Sequence, residues 1–177
     1  MPKSFCISGS PMRVYLAGPD VFYPDAQARG REMVEVCRSL GVTGLYPLDA
    51  QLDGATQPTS RAIFEANRAL IDSADAVVAN LRDWRGFEPD SGTVWEAAYA
   101  LAKGKYVVGY LPQSASLLER MRDHYEQGVD AAGCVVEDFG LPLNLMLAHS
   151  LHAVVYGAEA DMSGLKAAVQ AVQKIVR

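Results

Sequence analysis

Short uninterrupted apolar runs alternate along the chain with longer stretches whose apolar residues recur every three or four positions. The runs are Val14 to Ala17, Val42 to Tyr46, Ala76 to Leu81, Tyr106 to Tyr110 and Ala153 to Val155. Runs this short, bounded by Gly or Pro, read as strands, and their lack of polar alternation reads as a sheet covered on both faces. Between them, Met33, Val36, Cys37 and Leu40 form one helical stripe over Asp25 to Leu40, with Gly41 as a stop. Ser60 opens a second helix carrying Ile63, Ala66, Asn67, Leu70 and Ile71, and Ser91 to Lys103 is a third, stopped by Gly104. Residues 114–127 read as helix, 128–142 as loop and Leu143 to Ser150 as a short apolar helix or turn. Asp161 is placed to cap a closing helix whose buried stripe is Leu165, Val169, Val172, Ile175 and Val176.

This order predicts an α/β fold: a doubly wound, mostly parallel five-stranded sheet with helices on both faces, flavodoxin-like or Rossmann-like. Residues 13–177 form one domain in this reading, and residues 1–12 a loose N-terminal extension. Ligands of such sheets bind beyond the carboxyl ends of the strands, which selects loops 18–24, 47–59, 82–90 and 111–114.

Composition narrows the partners. The 177 residues are 50% apolar and 21% charged, enough to bury a substantial core, which excludes disorder. Sixteen Lys and Arg against 21 Asp and Glu give a net charge of −5 with no basic run, so nucleic acid is not an expected partner. No apolar stretch approaches the ~20 residues of a membrane span, and the N-terminus lacks a signal-peptide pattern. Cys6, Cys37 and Cys134 are odd in number and show no metal-ligand spacing with His124, His149 or His152. Cys37 and Cys134 read as small core residues, which points to a reducing, cytoplasmic setting with no metal and no cofactor.

The selected loops carry unusual residues. Loop 18–24 contains Gly18 and Pro19 but is not a GxGxxG phosphate cradle, and Phe22 and Tyr23 stand where they either line a ligand or cover the sheet edge. Loop 82–90 crowds Arg82, Trp84, Arg85, Gly86, Phe87 and Asp90 into a strand end that leads straight into a helix. Asp90 is an N-cap candidate, and capping alone accounts for it. Trp84 and Phe87 fit a closing lid and surface packing equally well.

Glu96 falls in the second helical turn with Thr93 and Ala100 on its face and Ala97, Ala98, Leu101 and Ala102 around it. The helix dipole favours its ionised form and apolar burial opposes it. That balance predicts a weakly solvated carboxylate that stays ionised, as suits a nucleophile or base, unless Glu96 is simply a solvated helix residue. Asn67 shares an apolar face with Ile63, Leu70 and Ile71, and Asn144 is the polar residue of an apolar segment, so each needs a hydrogen-bonding partner or a ligand.

Tyr15 to Phe22, the Asn67 helix, Asp75 to Leu81, Arg85 to Thr93 with Glu96, and Gly140 to Met146 together resemble the nucleoside 2-deoxyribosyltransferases, in the same order and spacing. The resemblance implies transfer of 2-deoxyribose between nucleobases, with 2′-deoxynucleosides and free nucleobases as substrates. It implies that Glu96 attacks C1′ and forms a covalent deoxyribosyl ester, that Tyr15 orients Glu96, and that Asp90 protonates the departing base. It also places Phe22 in the base pocket and Gly18, Arg85, Gly86 and Met146 beside substrate. Asn67 stands where some members carry an acid, which shifts proton delivery to Asp90. Asn144 is implied to reach a neighbouring subunit's site and bind the sugar 5′-hydroxyl, making the protein a homo-oligomer with shared sites. Two other readings compete. One is a hydrolase of the same superfamily acting on deoxynucleoside 5′-monophosphates, and the other is a non-catalytic flavodoxin-like nucleotide-binding domain.

Overall fold

The computed structural model describes residues 10–47, 58–126, 128–158 and 160–176. Its main sheet uses five of the seven strands, β1 (Arg13–Ala17), β2 (Thr43–Leu45), β3 (Ala76–Asn80), β4 (Tyr106–Leu111) and β7 (Ala153–Tyr156). Their order is β2-β1-β3-β4-β7, and every neighbouring pair is parallel. This is the architecture the alternating runs predict.

Strand residues face opposite sides in turn, and each side finds its own cover. Val14, Leu16, Ala76, Val78 and Val108 pack against Met33 and Cys37 of α1 (Ala26–Ser39) and Leu165, Val169 and Val172 of α6 (Ser163–Ile175). Tyr15, Ala17, Val77, Ala79 and Val107 pack against Ile71 of α2 (Ser60–Ser73) and Ala97 and Ala100 of α3 (Ser91–Ala102). With two covered faces, polar positions are confined to the strand ends, which explains the runs. The order reverses direction between β1 and β3, so their carboxyl ends splay apart and open a crevice for the loops that follow them.

The region after β4 departs from expectation. Residues 114–127 do not form one helix: α4 (Leu117–Arg120) is a single turn, followed by a 3-10 turn at Arg122–His124 and the strand β5 (Tyr125–Glu126). A capping box between Ser116 and Glu119 starts α4, but beyond Met121 the sequence is polar and offers no stripe to bury. The expected loop 128–142 contains β6 (Val129–Asp130), antiparallel to β5. Cys134 belongs to this excursion and is exposed, not a core residue, whereas Cys37 is buried and its thiol is pushed up to about 12 by that burial. Asn144 caps α5 (Leu145–Ser150). Met162, in a left-handed conformation, is the N-cap of α6, and Asp161 accepts the Ser163 N–H at 3.0 Å from one residue earlier. Cys6 and residues 48–57 of the expected loop 47–59 lie outside the described residues. Among the described residues no helix is long and apolar enough to cross a membrane.

Candidate active site

Three clusters contain the residues singled out above. The first is built on regular structure. Tyr15, fully buried in β1, points toward α3 and donates its hydroxyl proton to Glu96 Oε1 at 2.6 Å. Glu96 is half-buried, and with Asn67, Phe64, Gly92 and Trp95 it lines a cavity of about 310 Å³ between α2 and α3. Ala98 and Ala102 are exposed, so Glu96 is not buried by them; Tyr15 and the α2 side chains do that work. Burial dominates the environment of Glu96 and leaves it only partly ionised near neutral pH, where the sequence predicts full ionisation. Desolvation pushes the Glu96 carboxyl up to about 7, helped by the nearby Asp90 charge, while hydrogen bonds from Tyr15 and Asn67 pull it partly back. The Tyr15 phenol is raised in turn, by its own burial and by the Glu96 carboxylate beside it. Tyr15 therefore stays a donor, and its bond fixes Glu96 Oε1.

Asn67 is oriented by the same carboxylate, to which its amide donates. Its Oδ1 is buried and has no hydrogen-bond partner among the described residues. A buried amide oxygen left in that state costs about 1–3 kcal/mol unless a ligand supplies a donor. Asp90 is the N-cap of α3: its Oδ2 accepts from the Thr93 N–H at 2.9 Å and from the Thr93 hydroxyl at 3.0 Å. The cap is thus realised, and it uses one carboxylate oxygen only.

The second cluster hangs over the ends of β1 and β3. Phe22 is 55% exposed and stacks on Trp84 with ring centroids 5.6 Å apart, and the Arg85 guanidinium lies over both rings at 5.7 and 5.4 Å. Tyr23 meets the same Trp84 edge-on at 6.1 Å. Trp84 is therefore committed to packing here, and Phe87 likewise packs on His124 at 4.9 Å. Arg85 holds a φ of 54°, a left-handed conformation that costs a non-glycine residue about 1 kcal/mol, and Gly86 follows at 149°. Beneath this canopy lies a group the sequence reading missed. Asp20 is buried and accepts from Asn80 Nδ2 at 2.9 Å and from Arg29 Nη1 at 3.4 Å, with Arg82 Nη2 at 4.0 Å. A Cβ on Gly18 would fall 2.9 Å from both Asn80 Cβ and Asp20 Oδ2, so only glycine lets this pair form. Asn80 and Arg82, polar residues at the end of an apolar strand, were the available signal.

The third cluster is the Asn144 turn. Asn144 Nδ2 donates to Glu137 Oε1 at 2.7 Å, its Oδ1 accepts from the Met146 N–H at 3.0 Å, and Glu137 Oε2 takes the Leu145 N–H at 2.9 Å. Met146 is 72% exposed. Among the described residues no hydrogen bond, ion pair or ring contact joins Asn144 or Met146 to Glu96 of the same chain. Glu137 was not anticipated, since an isolated Glu in an irregular segment carries no local signal. Phe64 and Trp95 were also missed, although each sits within one helical turn of Asn67 or Glu96. Among the described residues no group of three or more His, Cys, Asp or Glu side chains could hold a metal ion.

Comparison with known proteins gives this geometry a context. A family described as nucleoside 2-deoxyribosyltransferase matches residues 14–146, a span that takes in all three clusters. The uncharacterized protein C191.05c of Schizosaccharomyces pombe is 34% identical over 120 residues, covering 64% of this chain and 56% of that protein. The chain thus spans little more than half the length of that relative. Among solved structures, a 2-desoxiribosyltransferase from Leishmania mexicana superposes with a TM-score of 0.72 at 29% identity, covering 90% of this chain and 98% of the other. A conserved protein from Enterococcus faecalis shares the fold, with a TM-score of 0.59 at 23% identity over 92% of this chain and 99% of the other.

Proposed function

The chain belongs to the nucleoside 2-deoxyribosyltransferase family, and on that premise we propose that it moves 2-deoxyribose from one nucleobase to another through an ester on Glu96. The observation that carries the reading is the 2.6 Å bond from buried Tyr15 to Glu96 at the edge of a cavity. It fixes one carboxylate oxygen and leaves the other to attack. In the first step that oxygen bonds to C1′ of a 2′-deoxynucleoside, and the C1′–N bond breaks with its electron pair going to the base. The departing base takes a proton from Asp90. In the second step a nitrogen of the incoming base attacks C1′ and gives up its proton to the Asp90 carboxylate, the ester bond breaks, and Glu96 leaves as a carboxylate. Two inversions give net retention, the logic of retaining glycosidases with a base in place of water.

The surroundings have matching tasks. A carboxyl pushed up to about 7 is partly protonated in neutral solution, close to the balance that general acid–base and nucleophilic groups need. The Asn67 Oδ1 accepts a substrate N–H or O–H, and Phe22 with Arg85 forms the wall and cation over the base. Asn144, held by Glu137, serves the sugar 5′-hydroxyl in a neighbouring copy, with exposed Met146 beside it.

The deciding assay incubates 2′-deoxyinosine with adenine and separates the products. Deoxyadenosine is expected; free base and deoxyribose alone identify a hydrolase, and no turnover of nucleosides or nucleotides leaves a binding domain. Shared sites are tested by mixing Glu96→Ala with Asn144→Ala subunits, each inactive alone. Mixed oligomers are expected to regain activity, because one site in each pair then holds both groups. Verified mixed oligomers that stay inactive would count against Asn144 acting in trans.

A further inference from the structure

Arg120 closes α4, and its side chain is only 6% exposed. Its Nε faces both oxygens of Asp83 at 3.1 Å, and Nη2 lies 3.1 Å from Asp83 Oδ1. Nη1 donates to Ala115 O and Pro142 O at 2.9 Å each, and Nη2 to Phe87 O at 3.2 Å. Four of the five guanidinium N–H groups thus donate hydrogen bonds, and Nη2 also pairs with Asp83 as an ion, a fixed fork that the single ammonium of lysine cannot reproduce.

Apart from Ala115, which precedes α4, the acceptors belong to two irregular segments. Within loop 82–90, the described residues show one internal backbone hydrogen bond, from the Trp84 N–H to Glu88 O at 3.0 Å. The 141–144 turn is met from α4 by the Leu117 N–H to Leu141 O bond at 2.9 Å. Phe87 also packs on His124, just beyond α4. Glu88, its carboxyl pushed up by partial desolvation, feels Arg120, Glu137 and Asp83 together, so the clamp on Asn144 and the clamp on the loop share one electrostatic neighbourhood. One segment carries Arg85, Gly86 and Asp90, and the other leads into Asn144.

We infer that Arg120 is a positioning residue that fixes loop 82–90 for its own subunit's site and the Asn144 turn for the neighbouring subunit's site. This rests on the reading above, in which Glu96 is the nucleophile and Asn144 acts in trans. The guanidinium touches no substrate; it locks the base side of one site to the sugar side of the next. Misplacing either segment by about 1 Å is enough to cost on the order of 10²-fold in rate.

The test uses full-length subunits and two kinds of mixed oligomer, with wild type mixed with Glu96→Ala as reference. In the first, Arg120→Met is mixed with Glu96→Ala, so the working site has a loosened loop 82–90 and an intact Asn144 donor. In the second, wild type is mixed with the double variant Glu96→Ala/Arg120→Met, so the loop is intact and the Asn144 donor is loosened. The first is expected to raise KM for the acceptor base about 10-fold, and the second to raise KM for the deoxynucleoside by a similar factor. Wild-type KM values in both, with only fewer working sites, would overturn the inference and leave Arg120 a staple of the fold. Should Arg120→Met fail to fold, Asp83→Asn takes its place in both mixtures, with the same split expected at a few-fold and the same result overturning it. A failure of the underlying reading is distinguishable: Glu96→Ala subunits would then be active alone. If Asn144 does not act in trans, the second mixture alone loses its effect, and an acceptor KM unchanged in Arg120→Met itself still overturns the loop half.

Discussion

Tyr15, Asn67 and Glu96 meet on a strand and two helices, whereas Phe22, Arg85 and the Asn144 turn stand on irregular chain joined by ring stacks and polar side chains. The first region gets its geometry from the sheet register and from helix packing, and its polar costs are a carboxyl held in a partly dry place and the partnerless Asn67 Oδ1. The second gets its geometry from Asp20, Glu137 and Arg120, of which Asp20 and Arg120 tie together residues distant in sequence. Reacting atoms need fixed positions, and regular elements give them at low cost. In the reading proposed above the second region must admit and release a flat base, and loops held by a few strong bonds allow that.

The comparison breaks first at Glu96. Glu96→Gln is expected to lower transfer by at least about 10³-fold, read as kcat/KM, because the amide is no nucleophile. The same change is expected to stabilise the fold at neutral and alkaline pH. The folded carboxyl titrates near 7 against an ordinary 4.5, so between those values the folded chain holds more protons than the unfolded one. Stability of the wild type therefore falls as pH rises through that window, and the glutamine variant lacks the decline. Thermal unfolding should give equal midpoints near pH 4, and the variant should be more stable by on the order of 3 kcal/mol at pH 8. In the wild type, kcat/KM should fall as pH drops below about 7. A variant less stable than wild type at pH 8 would show that burial does not penalise this carboxylate.

Asp90 sits between the two regions and sharpens their division. Asn caps helices about as well as Asp, so Asp90→Asn should change stability by only a few tenths of a kcal/mol. An amide cannot protonate a leaving base, so transfer should drop on the order of 10²-fold, most for the poorest leaving groups. If activity holds, Asp90 is a cap and nothing more. The smallest effect is expected at Trp84→Leu, which removes the ring beneath Phe22 and Arg85. Acceptor KM should rise a few-fold with kcat unchanged, and stability should fall by about 1 kcal/mol, the usual worth of a stacked aromatic pair. A loss confined to kcat would place Trp84 with the chemistry and erase the distinction.

The same division explains what the sequence reveals. Periodicity and Gly or Pro punctuation report local burial, so the five strands of the main sheet, the long helices, the Asp90 cap and the apolar setting of Asn67 and Glu96 are legible. The ionisation of Glu96 is not, because its burial comes from Tyr15 and α2 and not from Ala98 or Ala102 beside it. Asp20 and Asn80 are 60 residues apart, and Arg120 and Asp83 are 37 apart. Pairings at such distances leave no trace in any local window. Residues 114–127 mislead for a related reason: their composition suits a helix, but Arg120 is drawn inward to distant carbonyls and the chain beyond it has no apolar face to bury.

At Arg85 the backbone and the neighbouring rings ask for different residues. A left-handed φ of 54° is a place where asparagine sits with little strain and arginine does not, while the two rings nearby are served by a guanidinium and not by an amide. Selection for heat tolerance alone would drive this position away from arginine and strip the cation from the two stacked rings. Anyone engineering the chain for durability should hold that one residue fixed.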